Sequence, residues 1–260
     1  MLAARWRLLD SGAADGATNM ATDHALLDRA ATSGEAVLRI YAWARPTLSF
    51  GMHEKARIPR ARFEEQAVDV VRRPTGGRAL LHHREVTYSI SAPLNPTDGQ
   101  NVGLSESYRA INALLRDALA RLGVAADEAP RRGRASSPDG APCFAEPNVG
   151  ELIVDGRKLV GSAQRRDERA LLQHGAILLG DDQPMIARLR GDASLAAPPA
   201  ATLVTALGRE VSYGEVRDAL VAALTAAVAD LVTPLDPASL APSVAQHLLT
   251  YRSDEWTFRR

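Results

Sequence analysis

The sequence predicts an α+β (mixed α/β) domain in which strands joined by hairpins are intermixed with helices. Val37–Trp43 alternates like a half-buried strand, and Thr47–Gly51 follows it across a Pro-containing turn as its predicted partner. Asp155–Gly156 is a strong signal for a second hairpin turn. We therefore expect a single domain over residues 1–260, with a helical C-terminal portion at residues 200–260.

The N-terminal elements follow from residue spacing and end signals. Arg5–Asp10 is predicted as a short strand, and Asn19 as the cap of a helix whose apolar residues recur through Ala30. Val68–Arg72 and Val86–Ser91 are predicted as two further strands, separated by a glycine-containing interruption.

The middle of the chain combines a helix, a loop and a buried strand. An amphipathic helix is predicted to begin at Ser105 and to end before Gly123, which suits a C-terminal cap. Residues 126–142 lack periodicity and are predicted as a mobile loop. Ala170–Leu179 is predicted as a central apolar strand, interrupted at Gln173–Gly175.

The C-terminal portion is predicted to contain two principal helices. Ser212 and Glu215 stand at capping-box spacing in front of an Ala- and Leu-rich run that extends to Leu231. A second helix is predicted over Pro237–Tyr251, and the chain shows no internal repeat.

Composition excludes several classes of protein. The 31 basic and 31 acidic residues give no net charge, which argues against nucleic-acid and membrane-surface binding. A single cysteine excludes an intramolecular disulfide and favours a reducing compartment. No signal peptide or spanning segment is indicated, so a cytoplasmic protein is expected. The low aromatic content of 5% gives no sign of a self-complementary patch, and a monomer is expected.

The one cysteine, Cys143, and Lys158 stand on either side of the predicted Asp155–Gly156 turn. A lone cysteine is most often a small buried apolar side chain, and Lys158 taken alone is one more exposed lysine. As a pair they are candidates for covalent acyl transfer, with the thiol as nucleophile and the ammonium stabilising a developing oxyanion. The small residues before Gln164 leave room for a narrow substrate channel.

Paired glycines, Gly76 and Gly77, lie between two predicted strands and are flanked by Arg73 and Arg78. Glycines allow the backbone to approach a ligand closely, and arginines bind phosphate or carboxylate with two parallel hydrogen bonds. The simpler interpretation is a tight turn with solvated arginines.

Three histidines are candidates for chemistry. His82 and His83 suit a general base or a metal ligand, although a surface or hydrogen-bonded core role is commoner for such a pair. No carboxylate or third histidine stands at a recognisable ligand spacing, so no metal site is expected. His174 lies in an apolar strand, either held by core hydrogen bonds or positioning a substrate or thiol as a wall residue.

Taken together, these segments resemble the biotin/lipoate protein ligase and transferase superfamily. The resemblance rests on the order and spacing of Asn19–Leu27, Arg72–Arg78 with His82 and Glu85–Ser89, Gly156–Gln164, Gln173–Gly175 and Tyr251–Trp256. It implies a biotinyl/lipoyl-transferase catalytic domain, with a central mixed, largely antiparallel sheet flanked by helices.

Within that superfamily, Pro142–Asn148 resembles the cysteine motif of octanoyltransferases whose thiol lies upstream of the lysine. The resemblance implies that Cys143 takes an octanoyl group from acyl carrier protein as a thioester. A lipoyl-domain lysine, on a glycine cleavage H protein or a 2-oxoacid dehydrogenase E2, then accepts it. Lys158 would orient the acyl carbonyl.

The resemblance also implies a set of substrate-binding residues. They are Arg73, Thr75, Gly76, Gly77, Arg78, His82, Gly161, Ser162, Ala163, Gln164, His174 and Gly175. No cofactor is expected from this resemblance.

Three alternatives stay open at the level of sequence. An ATP-dependent lipoate–protein ligase shares the glycine motif and the lysine, and would require ATP and Mg²⁺. An octanoyl amidotransferase between lipoyl domains uses the same cysteine chemistry. A non-catalytic lipoyl-domain binding protein is disfavoured because Cys143 and Lys158 are both present.

Overall fold

The computed structural model describes residues 5–94, 103–130, 150–191, 198–228 and 231–259. The strands are β1 Arg5–Ala14, β2 Glu35–Trp43, β3 Thr47–Phe50, β4 Asp69–Arg72, β5 Leu80–His82, β6 Glu85–Pro93, β7 Asp127–Glu128, β8 Leu152–Val154, β9 Arg157–Arg166, β10 Ala170–Leu178 and β11 Thr233–Pro234. The helices are α1 Gly16–Ser33, α2 Arg60–Glu65, α3 Leu104–Arg121, α4 Met185–Arg190, α5 Leu203–Leu207, α6 Tyr213–Ala227, α7 Ala241–Tyr251 and α8 Asp254–Thr257.

An eight-stranded sheet forms the centre of the fold, in the order β11-β1-β2-β6-β10-β9-β8-β7. Strand β1 pairs in parallel with both β11 and β2, and the remaining neighbours pair antiparallel. The expected mixed, largely antiparallel sheet is therefore confirmed. The hairpin between β8 and β9 turns at Asp155 and Gly156, both of which have positive φ, as a type I′ turn requires.

Strand β3 does not pair with β2, so the predicted first hairpin is wrong. Both edges of β2 are already occupied, one by β1 and the other by β6. Strand β3 instead forms a separate three-stranded sheet, parallel to β4 and antiparallel to β5. This small sheet carries the glycine-containing segment, because that segment connects β4 to β5.

The cap of α1 is Asp15 rather than Asn19. The Asp15 carboxylate accepts a hydrogen bond from the Thr18 backbone N–H at 2.8 Å, and the helix begins at Gly16. Asn19 is fully buried one turn later, where its amide donates to the carbonyls of Ala14 and Ala42. Asn19 thus ties the helix to the ends of two strands.

Other boundaries also differ from the sequence prediction. Strand β10 runs without interruption through Gln173–Gly175, because both of its neighbours pair with it there. Helix α6 begins directly after its predicted N-cap, Ser212. It ends at Ala227 rather than at the predicted Leu231, since Val228 has extended backbone dihedrals.

Three short strands fall where no strand was predicted. Strand β5 lies in the predicted interruption between Val68–Arg72 and Val86–Ser91, and it pairs with β3. Strand β7 lies inside the predicted loop of residues 126–142 and pairs with β8, while residues 131–142 lie outside the described part of the chain. Strand β11 lies in the helical C-terminal portion and extends the edge of the large sheet beside β1.

Helices cover both faces of the large sheet. Leu38 and Ile40 point to one face, in the largest apolar cluster, with residues of α3 and α6 such as Leu115 and Leu220. Val37 points to the opposite face and packs with Leu26 of α1. In the described part of the chain, no helix is long and apolar enough to cross a membrane.

Candidate active site

The glycine loop between β4 and β5 is held in place by Arg73. Its guanidinium donates to the carbonyls of Gly76 at 2.8 Å, Arg78 at 2.8 Å and Ser49 at 3.0 Å, and only 4% of the residue is exposed. Arg78 is equally buried, at 5% exposure. The interpretation of the two arginines as solvated is therefore wrong, since Arg73 determines the shape of the loop from inside.

Close packing of the backbone explains why this loop needs glycine. A Cβ placed on Gly51, which follows β3, would lie 1.9 Å from the Gly77 carbonyl oxygen. Gly77 itself has a φ of +89°, a region that favours glycine. A Cβ on Gly76 would meet nothing within 4 Å, so this residue faces open space.

A buried hydrogen-bonded chain runs from α1 through β10 to the glycine loop. His174 lies between Asp23 and Thr75, with Nδ1 2.9 Å from the Asp23 carboxylate and Nε2 2.6 Å from the Thr75 hydroxyl. Burial lowers the pKa of His174, although Asp23 opposes the shift, and we take the ring as neutral at pH 7.

The protonation of this chain follows from Asp23. Burial alone would raise the pKa of its carboxyl, but Arg39 and His174 outweigh that effect and hold the pKa at about 2. An ionised carboxylate only accepts, so His174 Nδ1 carries the proton and donates to Asp23. Nε2 then accepts from the Thr75 hydroxyl, which anchors the loop by its side chain.

A cavity of about 230 Å³ lies between the two sheets, beside the glycine loop. Its lining residues come from α1, both sheets and their connections: Met20, Tyr41, Trp43, His53, Arg73, Gly77, Arg78, Leu80, His82, Thr87, Glu151, Gly161, Ser162, Ala163, His174 and Gly175. Close approach to Tyr88 and to the Gly161 carbonyl excludes a Cβ at Gly175. Nine of the twelve predicted substrate-binding residues line this cavity.

His82 is fixed as one wall of the cavity. Its Nδ1 lies 2.7 Å from Glu85 and its Nε2 lies 2.8 Å from the Ser49 hydroxyl, so both nitrogens have partners. Its ring stacks on Trp43 with centroids 4.0 Å apart. This arrangement supports the hydrogen-bonded core role for His82 over that of a metal ligand.

Three predicted substrate-binding residues lie elsewhere. Thr75 is fully buried behind the loop, bonded to His174 as described above. Gly76 and Gln164 line a neighbouring cavity, which shares Gly77, Ser162 and Ala163 with the first. The two cavities thus adjoin at the predicted substrate channel.

Lys158 is not exposed but lies in a buried ion pair with Glu151. The Lys158 Nζ to Glu151 Oε1 distance is 2.6 Å, and the two side chains are 0% and 4% exposed. Glu151 lines the cavity, which places a buried ammonium directly behind its wall.

Arg78 lines the cavity and also carries a buried donor. Its Nη2 atom has no hydrogen-bond partner among the described residues, and it is shut off from solvent. A buried donor without a partner costs about 1–3 kcal/mol.

Cys143 lies outside the described residues. The sequence also missed the apolar end of the cavity, formed by Met20, Tyr41 and Trp43, and it missed Asp23. Met20 and Asp23 both lie in the segment Asn19–Leu27 that carries the family resemblance, which is the one signal that could have found them.

Comparison with known protein families identifies the class to which this fold and cavity belong. The model of the lipoyl protein ligase A/B catalytic domain matches residues 15–225, and the chain belongs to this family. Octanoyltransferase LipM from Kyrpidia tusciae is 36% identical over 274 residues, covering 98% of this chain and 99% of the relative. Octanoyltransferase LipM from Symbiobacterium thermophilum is 38% identical over 277 residues, covering 98% of each.

Solved structures show the same fold at lower identity. A lipoate-protein ligase A bound with ATP superposes with a TM-score of 0.76 at 19% identity, covering 99% of both chains. A bipartite lipoate protein ligase from Thermoplasma acidophilum gives a TM-score of 0.72 at 19% identity, covering 99% of this chain and 97% of that one. The predicted biotinyl/lipoyl-transferase architecture is thereby confirmed.

Proposed function

We propose that this chain is an octanoyltransferase of lipoate biosynthesis, which moves an octanoyl group from acyl carrier protein to a lysine of a lipoyl domain through Cys143. The observation that carries the proposal is the nearly full-length similarity to enzymes named octanoyltransferase, at 36% and 38% identity. The chain is accordingly an acyltransferase rather than a ligase that consumes ATP.

The size of the cavity fits the acyl group. A 150 Å³ apolar cavity binds benzene, so a cavity of about 230 Å³ accommodates roughly eight or nine carbon atoms on the same scale. Met20, Tyr41 and Trp43 supply an apolar end for the hydrocarbon chain. This capacity supports a medium-chain acyl substrate.

The chemistry proceeds in two balanced steps. The Cys143 thiolate attacks the carbonyl carbon of the octanoyl thioester, the new S–C bond forms, and the carrier thiolate leaves and takes up a proton. The neutral amine of the lipoyl-domain lysine then attacks the acyl-enzyme, displaces the Cys143 thiolate and loses a proton as the amide forms. Thioester exchange is nearly balanced and amide formation is downhill, so neither step requires ATP.

Lys158 and Arg78 supply positive charge near the reacting carbonyl. A buried ammonium paired with Glu151 keeps a fixed position, because both side chains are excluded from solvent. The guanidinium of Arg78, whose side chain lines the cavity, is a second positive charge beside it. Donors positioned in advance stabilise the oxyanion of each tetrahedral intermediate, and one such donor typically contributes about 10²- to 10³-fold in kcat.

The partners follow from this reaction. The donor is octanoyl acyl carrier protein, and the acceptor is a lipoyl-domain protein such as glycine cleavage H protein or a 2-oxoacid dehydrogenase E2. We propose that the chain acts on them as a cytoplasmic monomer.

Intact-protein mass spectrometry tests the proposal directly. The wild type, mixed with octanoyl acyl carrier protein and without ATP, should gain one octanoyl group that is lost on addition of an apo lipoyl domain. Cys143→Ser should gain no such adduct. Lys158→Met, which keeps the length of the side chain but removes its charge, should form the adduct about 100-fold more slowly.

The opposite results have clear meanings. An equal adduct on Cys143→Ser would remove the covalent mechanism. Lipoyl-domain modification that requires ATP and free lipoate, with no acyl-enzyme, would identify a ligase and contradict the proposal.

A further inference from the structure

A cluster of three potential metal ligands lies outside the proposed active site. His24 and Asp28 stand four residues apart on α1, which places them on one face of the helix. His247 of α7 packs against that face, and one ligand atom from each of the three residues lies within 4.8 Å of the others. No spacing in the sequence indicates this cluster, because His247 is distant along the chain from His24 and Asp28.

The two imidazole rings already stack face to face. Their centroids lie 3.9 Å apart at an interplanar angle of 12°. His247 Nε2 lies 2.6 Å from the Asp28 carboxylate, and His24 Nδ1 lies 3.1 Å from the Tyr251 hydroxyl. The contact with Tyr251 orients the His24 ring and leaves Nε2 as its ligand atom.

We propose that His24, Asp28 and His247 form a binding site for a divalent transition-metal ion such as zinc. Two imidazole nitrogens and one carboxylate are donors that zinc accepts, with water as the fourth ligand on the exposed side. Ligand atoms on one tetrahedral zinc ion lie roughly 3.4 Å apart, given bonds of about 2.0–2.1 Å. The in-plane lone pairs of stacked rings run parallel, so binding one ion requires an imidazole ring to turn out of the stack as well as the ligand atoms to close from up to 4.8 Å. Asp28, with a side chain 52% exposed, has room to move.

Such an ion would fasten the C-terminal helix α7 to α1. The reacting groups proposed above do not include any of the three ligands. Helix α1 also carries Met20 and Asp23, which shape the cavity and the buried hydrogen-bonded chain. We therefore expect the metal to make the α1–α7 contact more rigid and to take no part in catalysis.

The test is a zinc titration of the tag-free, full-length chain after removal of metal with a chelator. Isothermal calorimetry should show one equivalent of Zn²⁺ bound in a Cys143→Ser background, which removes the thiol as a competing ligand. His24→Ala, His247→Ala and Asp28→Asn should each weaken binding by about tenfold or more. Co²⁺ bound to the same chain should give the visible absorption of a tetrahedral site without thiolate bands.

His83→Ala is the matched control. His83 Nδ1 lies 3.4 Å from Asp182 at the surface, a histidine–aspartate pair that belongs to no three-ligand cluster among the described residues. This variant should bind zinc as the parent chain does. No stoichiometric binding by the parent, or equal affinity in Asp28→Asn, would overturn the proposal.

Thermal unfolding gives a second measurement that separates binding from misfolding. A saturating concentration of Zn²⁺ should raise the melting temperature of the parent chain and of His83→Ala. It should leave that of Asp28→Asn unchanged, and this variant should fold normally because the side chain is largely exposed. A rise of the same size in Asp28→Asn would contradict the assigned ligands.

Discussion

Replacing Asp23 by Asn removes the charge at the centre of the buried network behind the glycine loop. The Asp23 side chain is fully buried, and its Oδ1 accepts from Arg39 at 2.7 Å and from Ser89 at 2.8 Å. Its Oδ2 accepts from Tyr41 at 2.9 Å and from His174 at 2.9 Å. An Asn amide has only one oxygen, so one of these two pairs of donors would face an NH₂ group instead.

The cost can be worked from two contributions. The pKa of Asp23 lies at about 2 against a usual value of 3.8, which corresponds to about 2 kcal/mol of stabilisation at neutral pH. Two misdirected donors and an uncompensated Arg39 charge raise the loss to about 3–5 kcal/mol, the range for breaking a buried ion pair. A loss of that size is a large part of the 5–15 kcal/mol that is typical of a folded protein.

Urea unfolding at pH 7 with EDTA present measures this loss, and Asp28→Asn is the control. Asp28 lies on the same helix but is half exposed, so the same substitution there should cost less than about 1 kcal/mol. A carboxyl whose pKa is lower in the folded than in the unfolded state stabilises the fold at pH values above its unfolded pKa. This stabilisation is lost as the pH falls towards 2. The gap between wild type and Asp23→Asn should therefore narrow by about 2 kcal/mol between pH 5 and pH 2. If Asp23→Asn unfolds at the same urea concentration as Asp28→Asn, the reasoning about the network is wrong.

The remaining predictions concern the cavity and the loop. Arg78→Gln should lower kcat for octanoyl transfer by about 100-fold while the melting temperature stays within a few degrees, and an unchanged kcat would deny Arg78 a role at the carbonyl. Gly51→Ala should destabilise the fold by about 2–3 kcal/mol in urea unfolding, because the added Cβ would collide with the Gly77 carbonyl. Gly214→Ala in α6 is the control: its Cβ would meet only ordinary contacts, so this variant should be neutral or stabilising. Met20→Phe should shift the preference from octanoyl towards hexanoyl donors by about tenfold in kcat/KM, and an unchanged preference would place the chain end elsewhere.

The sequence predicted most elements of the fold, because local signals determine them. The turn at Asp155–Gly156 and the capping box at Ser212 both form as expected, since each depends on residues within three or four positions. The pairing of β3 was mispredicted for the opposite reason. Which strand occupies the second edge of β2 depends on β6, and no local pattern specifies that choice.

The residues of the candidate site were likewise predictable only in part from the sequence. The family resemblance identified twelve substrate-binding residues, and nine of them line the cavity. Burial was not predictable: the simpler interpretations of Arg73 and Lys158 placed them at the surface, yet each is enclosed by groups from distant parts of the chain. Met20 and Trp43 form the apolar end of the cavity, but in the sequence they are ordinary core residues.

The distribution of satisfied and unsatisfied polar groups indicates how a substrate lies in the cavity. His82 and His174 use both ring nitrogens, and Trp43 donates its indole N–H to Thr87 at 2.8 Å, so these walls need no ligand to complete them. Arg78 differs, because its buried Nη2 has no partner among the described residues. A hydrocarbon chain against the satisfied walls loses no hydrogen bonds, so in the proposed reaction the acyl tail would lie against His82, His174 and Trp43. The reacting carbonyl would then lie towards Gly77 and Ser162, which line both cavities.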